Sequence, residues 1–107
     1  MTVAYQLEKA GTRLSRTTIE RRPLGPRDVR LDLKFCGVCH TDLHKAANHF
    51  SGVGRGTPYP CTPGHELAGV CSAVGPKVTN VKVGDQVGVG CLVDSCLECA
   101  GRLRRLR

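Results

Sequence analysis

Apolar and polar residues alternate along much of the chain with a period of two. The clearest segment is 29–35, where the apolar positions are Val29, Leu31, Leu33 and Phe35. This period places every second side chain on one face of a β-strand. Segments 67–74 and 86–93 are rich in Val and are separated by the turn pairs Gly75-Pro76 and Gly84-Asp85, so we predict two further strands there. Residues 78–83 fit a short strand between them.

Helical spacing is weak and confined to one place. Residues 41–48 fit a short helix, with Thr41 or Asp42 as its N-cap. Residues 50–64 contain four Gly and three Pro and are predicted as a loop. The chain of 107 residues has the length of one domain. The whole pattern predicts a mainly β fold, a small β-barrel with short helices and with loops that carry the chemistry.

Composition predicts a thin core. The chain has no Trp, two Tyr and two Phe, so Val, Leu and Ala must supply most of the buried area. The net charge of +7 is concentrated in a basic tail, which holds Arg102, Arg104, Arg105 and Arg107. Residues 1–101 carry twelve cations and nine anions. This nearly balanced charge argues against nucleic acid as the partner of the main part of the chain.

Seven Cys are many for a chain of this size. The N-terminus has no basic start, no apolar stretch of signal length and no small-residue cleavage site. No apolar run approaches the ~20 residues of a membrane helix. We therefore expect a cytoplasmic protein without a membrane partner, in which reduced Cys bind metal or take part in chemistry more often than they form disulfides.

Metal-ligating residues concentrate in two short stretches, CGVCHTDLH at 36–44 and PGHELAG at 63–69. Thiolate and imidazole are preferred zinc ligands, and a catalytic zinc needs three protein ligands with one position left open. Cys39 and His65 are candidates for two of these three zinc ligands. An isolated Gly-His-Glu is typical of an ordinary turn beside a strand, but its combination with Cys39 favours a zinc site.

These stretches resemble the zinc-dependent medium-chain alcohol dehydrogenases, in particular the cinnamyl-alcohol-dehydrogenase-like, NADP-preferring aldehyde reductases. The resemblance rests on CGVCHTDLH, YPCTPGHELAGV at 59–70, VGPKVTNVKVGDQVGVG at 74–90 and CLVDSC at 91–96, and covers about four fifths of the chain. It implies a GroES-like β-barrel and, in the full-length relative, the reaction alcohol + NADP ⇌ aldehyde + NADPH on a small molecule.

The resemblance also implies a set of ligands for catalytic Zn²⁺. Cys39 corresponds to its first thiolate, His65 to its imidazole ligand, and Glu66 to a neighbouring carboxylate that can approach the metal. Asp42 corresponds to an acid that orients the histidine ligand and fixes its tautomer.

Three further residues acquire roles from the resemblance. Thr41 corresponds to the hydroxyl that passes on the alcohol proton, and His44 to the imidazole that carries this proton toward solvent. His40, together with Thr41, lies where the family contacts the cofactor. The simpler interpretations are a helix cap for Thr41 and a solvated helix face for His44. For Cys36 we prefer simple burial.

The end of the chain departs from the family pattern. Cys96 and Cys99 match the first two of four structural-zinc ligands, but the third position is Arg102. We therefore divide the chain into 1–96, an incomplete GroES-like catalytic domain, and 97–107, an aberrant basic tail. The family's third catalytic ligand and its Rossmann domain have no counterpart in these residues. The isolated chain is expected to be inactive.

Two alternatives come from other classes of protein. Cys36 and Cys39 could join Cys96 and Cys99 in one zinc site of a basic module that binds nucleic acid. The separation of the two pairs is longer than the ~15 to 20 residues of zinc ribbons, and this site would leave His65 unexplained. A GroES-like interaction domain without metal is the other alternative, because a fold alone does not imply function.

Overall fold

The computed structural model of the chain describes residues 1–93. Its elements, in chain order, are β1 (Thr2–Gln6), β2 (Ser15–Ile19), β3 (Val29–Cys36), α1 (His40–Ala46), a 3-10 turn (Ser51–Val53), β4 (Leu67–Val74) and β5 (Gln86–Val89). The prediction of a mainly β fold is confirmed, and the strands predicted at 29–35 and 67–74 correspond to β3 and β4. No helix in this part of the chain has the length and apolar character needed to span a membrane.

The described strands form two antiparallel sheets. β1 pairs with β2, while β4 lies between β3 and β5 in a three-stranded sheet. Leu7 and Cys61 exchange two backbone hydrogen bonds of 2.9 Å, which connect the end of β1 to the loop before β4. The long loop that approaches the candidate site is therefore anchored to the first sheet.

Two sequence predictions differ from the structure around β5. The predicted strand 86–93 ends at Val89, and residues 78–83 have irregular backbone instead of a strand. The Lys82 backbone N–H and Nζ both donate to the Asp85 carboxylate, at 3.0 and 2.9 Å, and Gly84 has a φ of +94°. Because the chain must reverse here between β4 and β5, these local bonds override the strand preference of Val.

The apolar positions of β3 are largely exposed. Register shifts between Arg30 and Leu31 and between Leu33 and Phe35 interrupt its pairing with β4. Leu33 is 52% and Phe35 76% exposed. The prediction that Cys36 is buried is wrong, because Cys36 ends this strand at an uncovered position and is itself exposed.

The core is thin, as composition predicts. Its hydrophobic members among residues 1–93 are Ala4, Leu7 and Cys71, the last only 1% exposed. Ala and Leu contribute as expected, whereas no Val is fully buried in this part of the chain. Cys71 lies on the central strand β4 and acts as a small apolar residue.

The end of α1 is held by the loop that follows it. The Thr57 hydroxyl donates to the Lys45 carbonyl at 2.6 Å, and the Tyr59 hydroxyl donates to the Ala46 carbonyl at 2.7 Å. The Thr57 backbone N–H donates to Asn48 Oδ1 at 2.8 Å. Carbonyls at a helix C-terminus have no partner within the helix, so these side chains supply one.

An ion pair fixes the turn that precedes β3. Arg22 donates to Asp28 through both terminal guanidinium nitrogens, Nη1 and Nη2, and the Gly25 backbone N–H donates to Asp28 Oδ2 at 2.7 Å. The hydrogen bond from Arg22, followed by that from Gly25, lowers the pKa of Asp28 from 3.8 to about 2. These bonds stabilise the carboxylate form of Asp28 and so fix the backbone of the turn before β3.

Candidate metal centre

The first turn of α1 places two of the predicted site residues together. Cys39 is the N-cap, so the helix begins at His40, and the predicted caps Thr41 and Asp42 lie inside the first turn. The Cys39 backbone N–H donates to Asp42 Oδ2 at 3.0 Å, and the Asp42 N–H donates to the Cys39 carbonyl at 3.0 Å. A side chain at the third helical position that returns to the N-cap amide satisfies an otherwise unpaired donor. This capping contact fixes Cys39 beside Asp42.

A glycine turn brings His65 to the same place. Gly64 has a φ of +133°, and a Cβ built on it would lie 2.8 Å from Cys36 Sγ, so only glycine fits without strain. His65 Nδ1 lies 3.1 Å from Asp42 Oδ1. Since the carboxylate accepts, Nδ1 carries the hydrogen, and Nε2 is the ring nitrogen that can ligate once it is deprotonated. Asp42 therefore contacts both candidate ligands, one with each oxygen.

Glu66 completes a group of three potential ligands. The ligating atoms of Cys39, His65 and Glu66 all lie within 4.8 Å of one another. His65 Nε2 is 3.8 Å from Glu66 Oε1. The edge of a tetrahedral zinc site with ligands ~2.1 Å from the metal measures roughly 3.5 Å. The three donors are therefore close to the separation that one zinc ion requires, and their chemistry fits that metal.

Hydrogen bonding favours charged forms of the two principal ligands. The Thr41 hydroxyl, the Thr41 backbone N–H and His65 all hydrogen-bond the Cys39 sulfur and lower its pKa. The hydrogen bond with Cys39 raises the pKa of His65, and the nearby negative charge of Asp42 acts in the same direction. A thiol must ionise before it binds metal, so the lowered pKa of Cys39 prepares it as a ligand.

The predicted relay residues lie on the same helix. Thr41 is half-buried and contacts Cys39, which brings it to the candidate centre. His44 is half-buried one turn further along, and its ring lies 4.9 Å from the ring of the exposed His40. The sequence reasoning missed His49, whose Nδ1 lies 2.9 Å from Nδ1 of His44. The sequence indicated this contact only through the position of His49, which follows His40 and His44 and lies five residues after His44.

The remaining metal predictions involve residues that the structure does not describe. Cys96 and Cys99, the candidate structural-zinc ligands, lie outside residues 1–93, as does the tail 97–107. The four-cysteine site of the nucleic-acid alternative therefore stays a prediction. In the described residues, the candidate metal group contains Cys39 without Cys36.

The fold and this group of candidate ligands are typical of an N-terminal segment of the alcohol dehydrogenase type. The family of the alcohol dehydrogenase GroES-like domain matches residues 25–106. The chain belongs to this family, and the predicted GroES-like fold is confirmed.

Individual relatives agree with the family assignment. The chain is 52% identical over 97 residues to NADP-dependent alcohol dehydrogenase C 1 of Mycolicibacterium smegmatis. This alignment covers 90% of this chain and 26% of the relative. A cinnamyl alcohol dehydrogenase from Sorghum bicolor superposes with a TM-score of 0.85 at 40% identity, over 95% of this chain and 28% of that one. The CAD of Helicobacter pylori, solved in complex with NADP(H), gives 0.86 at 35% identity over the same shares. The chain thus spans about a quarter of the length of these relatives.

Proposed function

We propose that this segment forms the zinc-binding side of an active centre that interconverts alcohol + NADP and aldehyde + NADPH. The observation that carries the proposal is the grouping of Cys39, His65 and Glu66 around one point, with Asp42 bonded to two of them. Relatives named as NADP-dependent alcohol dehydrogenase and as CAD in complex with NADP(H) support the reaction and the cofactor. We place the reaction in the cytoplasm.

Cys39 and His65 would hold the zinc, with Glu66 as the neighbouring carboxylate. Zinc bound there supplies a Lewis acid that polarises the oxygen of the alcohol or aldehyde. Asp42 keeps the hydrogen of His65 on Nδ1 and thereby directs the lone pair of Nε2 toward the ligand position.

The helix supplies the groups that bind the cofactor and move the substrate's proton. Thr41, beside Cys39, offers a hydroxyl that can accept the alcohol proton and pass on its own. His44 carries the proton outward from the helix turn behind Thr41. His40, exposed at the start of α1, is the candidate contact for the phosphates of NADP.

Hydride transfer requires the nicotinamide to be held against the substrate, and such orientation accounts for about 7 to 11 kcal/mol of barrier lowering. The cofactor domain of the family has no counterpart in the 107-residue sequence. An assay of this chain alone should therefore show no NADP-dependent alcohol oxidation.

Zinc loading tests the proposal directly. The 107-residue chain, purified without added zinc and then titrated with it, should bind weakly, because two ligands and one carboxylate form an incomplete set. Cys39→Ser and His65→Ala should each reduce the metal content further. Cys36→Ser is the matched control, because Cys36 is an exposed cysteine three residues away and outside the group.

The outcomes separate the candidate functions. Equal metal content in the parent, Cys39→Ser and His65→Ala chains would contradict the catalytic-zinc assignment. Loss of zinc in Cys36→Ser, but not in His65→Ala, would instead support the four-cysteine module. Absence of zinc from the parent at saturating concentration would support an interaction domain without metal.

A further inference from the structure

The C-terminal end of α1 carries a pair of histidines in direct contact. Nδ1 of His44 and Nδ1 of His49 lie 2.9 Å apart, a normal hydrogen-bond distance. The ring centroids are 5.2 Å apart. This separation equals the nitrogen-to-nitrogen distance plus the two ring radii, so the nitrogens point directly at each other. One ring must therefore donate a hydrogen from Nδ1 and the other must accept it at Nδ1.

The backbone fixes this contact. The His49 N–H donates to the His44 carbonyl at 2.9 Å, and the Asn48 N–H donates to the Lys45 carbonyl at 3.2 Å. Asn48 has a φ of +60°. These are the two hydrogen bonds and the left-handed residue of a Schellman motif, which places the residue after the turn over the last full turn of the helix. His49 therefore stands over His44 because of how the helix ends.

His49 is more exposed than the two candidate relay residues on α1. Thr41 and His44 are half-buried, whereas His49 is exposed. The other groups that face the pair are the ring of His40 and the ring of Phe50, whose centroids are 4.9 and 5.7 Å from that of His44. In the described residues, neither of these rings hydrogen-bonds the His44 ring. In the described residues, His49 is the side chain that hydrogen-bonds the His44 imidazole.

We infer that His49 is the outer member of a two-histidine proton relay, which deepens and rests on the proposed function. His44 accepts a proton at Nε2 and releases its Nδ1 proton to Nδ1 of His49. His49 then releases its own Nε2 proton to water. One proton enters and one leaves, and aldehyde reduction runs the same steps in reverse and restores both tautomers.

The inference can be tested on the 107-residue chain without zinc or NADP. With ¹⁵N-labelled histidine, two-bond NMR correlations should assign His44 as the Nδ1–H tautomer and His49 as the Nε2–H tautomer at a pH where both rings are neutral. The exchange rate of the His44 ring hydrogen with water, measured at low temperature, reports transfer through His49. His49→Phe should slow this exchange about 100-fold, the low end of what positioned proton transfer contributes.

His49→Gln separates a relay from a purely positional role. A glutamine oxygen can accept the Nδ1 hydrogen of His44 and preserve its tautomer, but it cannot pass a proton on. The relay predicts slow exchange in His49→Gln, restored by free imidazole in the buffer. Phe50→Leu, which removes a neighbouring ring that is not hydrogen-bonded to His44, should leave the exchange rate unchanged.

Parent-like exchange in His49→Gln would overturn the relay and leave His49 as a residue that positions His44. The absence of the paired tautomers in the parent would overturn the inference altogether. Both measurements are made on the metal-free chain, so failure of the inference is distinguishable from failure of the proposed function. Because His49 is exposed, both of its variants should fold, and the dispersion of the amide NMR spectrum checks this.

Discussion

Replacement of Asp42 by asparagine tests the central feature of the candidate metal centre. The carboxylate accepts one hydrogen bond from the Cys39 backbone N–H at 3.0 Å and is paired with His65 Nδ1 at 3.1 Å. An asparagine has one acceptor oxygen and one donor nitrogen, so it can serve one of these two donors but repels the other. Asp42→Asn therefore keeps the size of the side chain and removes half of its function.

The structure indicates the size of the effect. Loss of a partner that orients a metal-ligating histidine costs about 10- to 100-fold in metal affinity. That range corresponds to roughly 1.4 to 2.7 kcal/mol of binding free energy. If the asparagine instead turns its amide toward the Cys39 N–H, the helix loses a cap worth ~1 kcal/mol. Zinc affinity should thus fall by at least about tenfold, with a smaller loss of stability.

Competition with a chromophoric chelator measures the zinc affinity, and urea denaturation of the metal-free chain measures the change in the free energy of unfolding. Asp32→Asn is the matched control, because Asp32 is an exposed carboxylate on β3 outside the metal group. An Asp42→Asn chain with the zinc affinity of the Asp32→Asn control would contradict this prediction. Asp42 would then have no part in orienting His65.

Three further predictions concern the thiolate, the β3 turn and the central strand. Iodoacetamide should alkylate Cys39 with a half-maximal rate below pH 9.0, and Thr41→Val should move this midpoint upward because the hydroxyl that stabilises the thiolate is lost. The folded chain stabilises the ionised form of Asp28, whose pKa falls from 3.8 to about 2. Its contribution to the free energy of unfolding is therefore present above pH 3.8 and lost as the pH falls toward 2. Unfolding of Asp28→Asn, followed by circular dichroism, should depend less on pH in that window. Gly69→Ala should lower the free energy of unfolding by about 1 to 3 kcal/mol, because a Cβ there collides with the β3 backbone, whereas Gly88→Ala should be tolerated.

The strands that the sequence predicts best are those with visible alternation and clear turns. β3 shows the alternation, and β4 is followed by the turn pair Gly75-Pro76. β1 and β2 escape prediction because their side chains are mostly small or polar and only Ala4 is fully buried in either strand. Their pairing, such as Ala4 opposite Thr17, depends on residues distant in sequence. Pattern alone does not contain that information.

The candidate site is predictable to a similar extent. Residue types and the family resemblance indicate Cys39 and His65 as ligands, and the structure brings them together. The sequence does not indicate that Asp42 divides its two oxygens between the Cys39 amide and the His65 ring. Nor does it indicate the contact between His44 and His49, which depends on the positive φ of Asn48. Both contacts are consequences of how α1 begins and ends.

The shortness of α1 makes the site and the helix interdependent. A helix of seven residues is too short to be stable by itself in water. Its first turn is closed by Asp42, which also holds His65, and its last turn by the motif that places His49 over His44. Zinc would bind Cys39 and His65 more tightly when the first turn is folded than when the chain is unfolded. By linkage, such binding shifts the equilibrium toward the helix, and so toward the paired histidines at its other end.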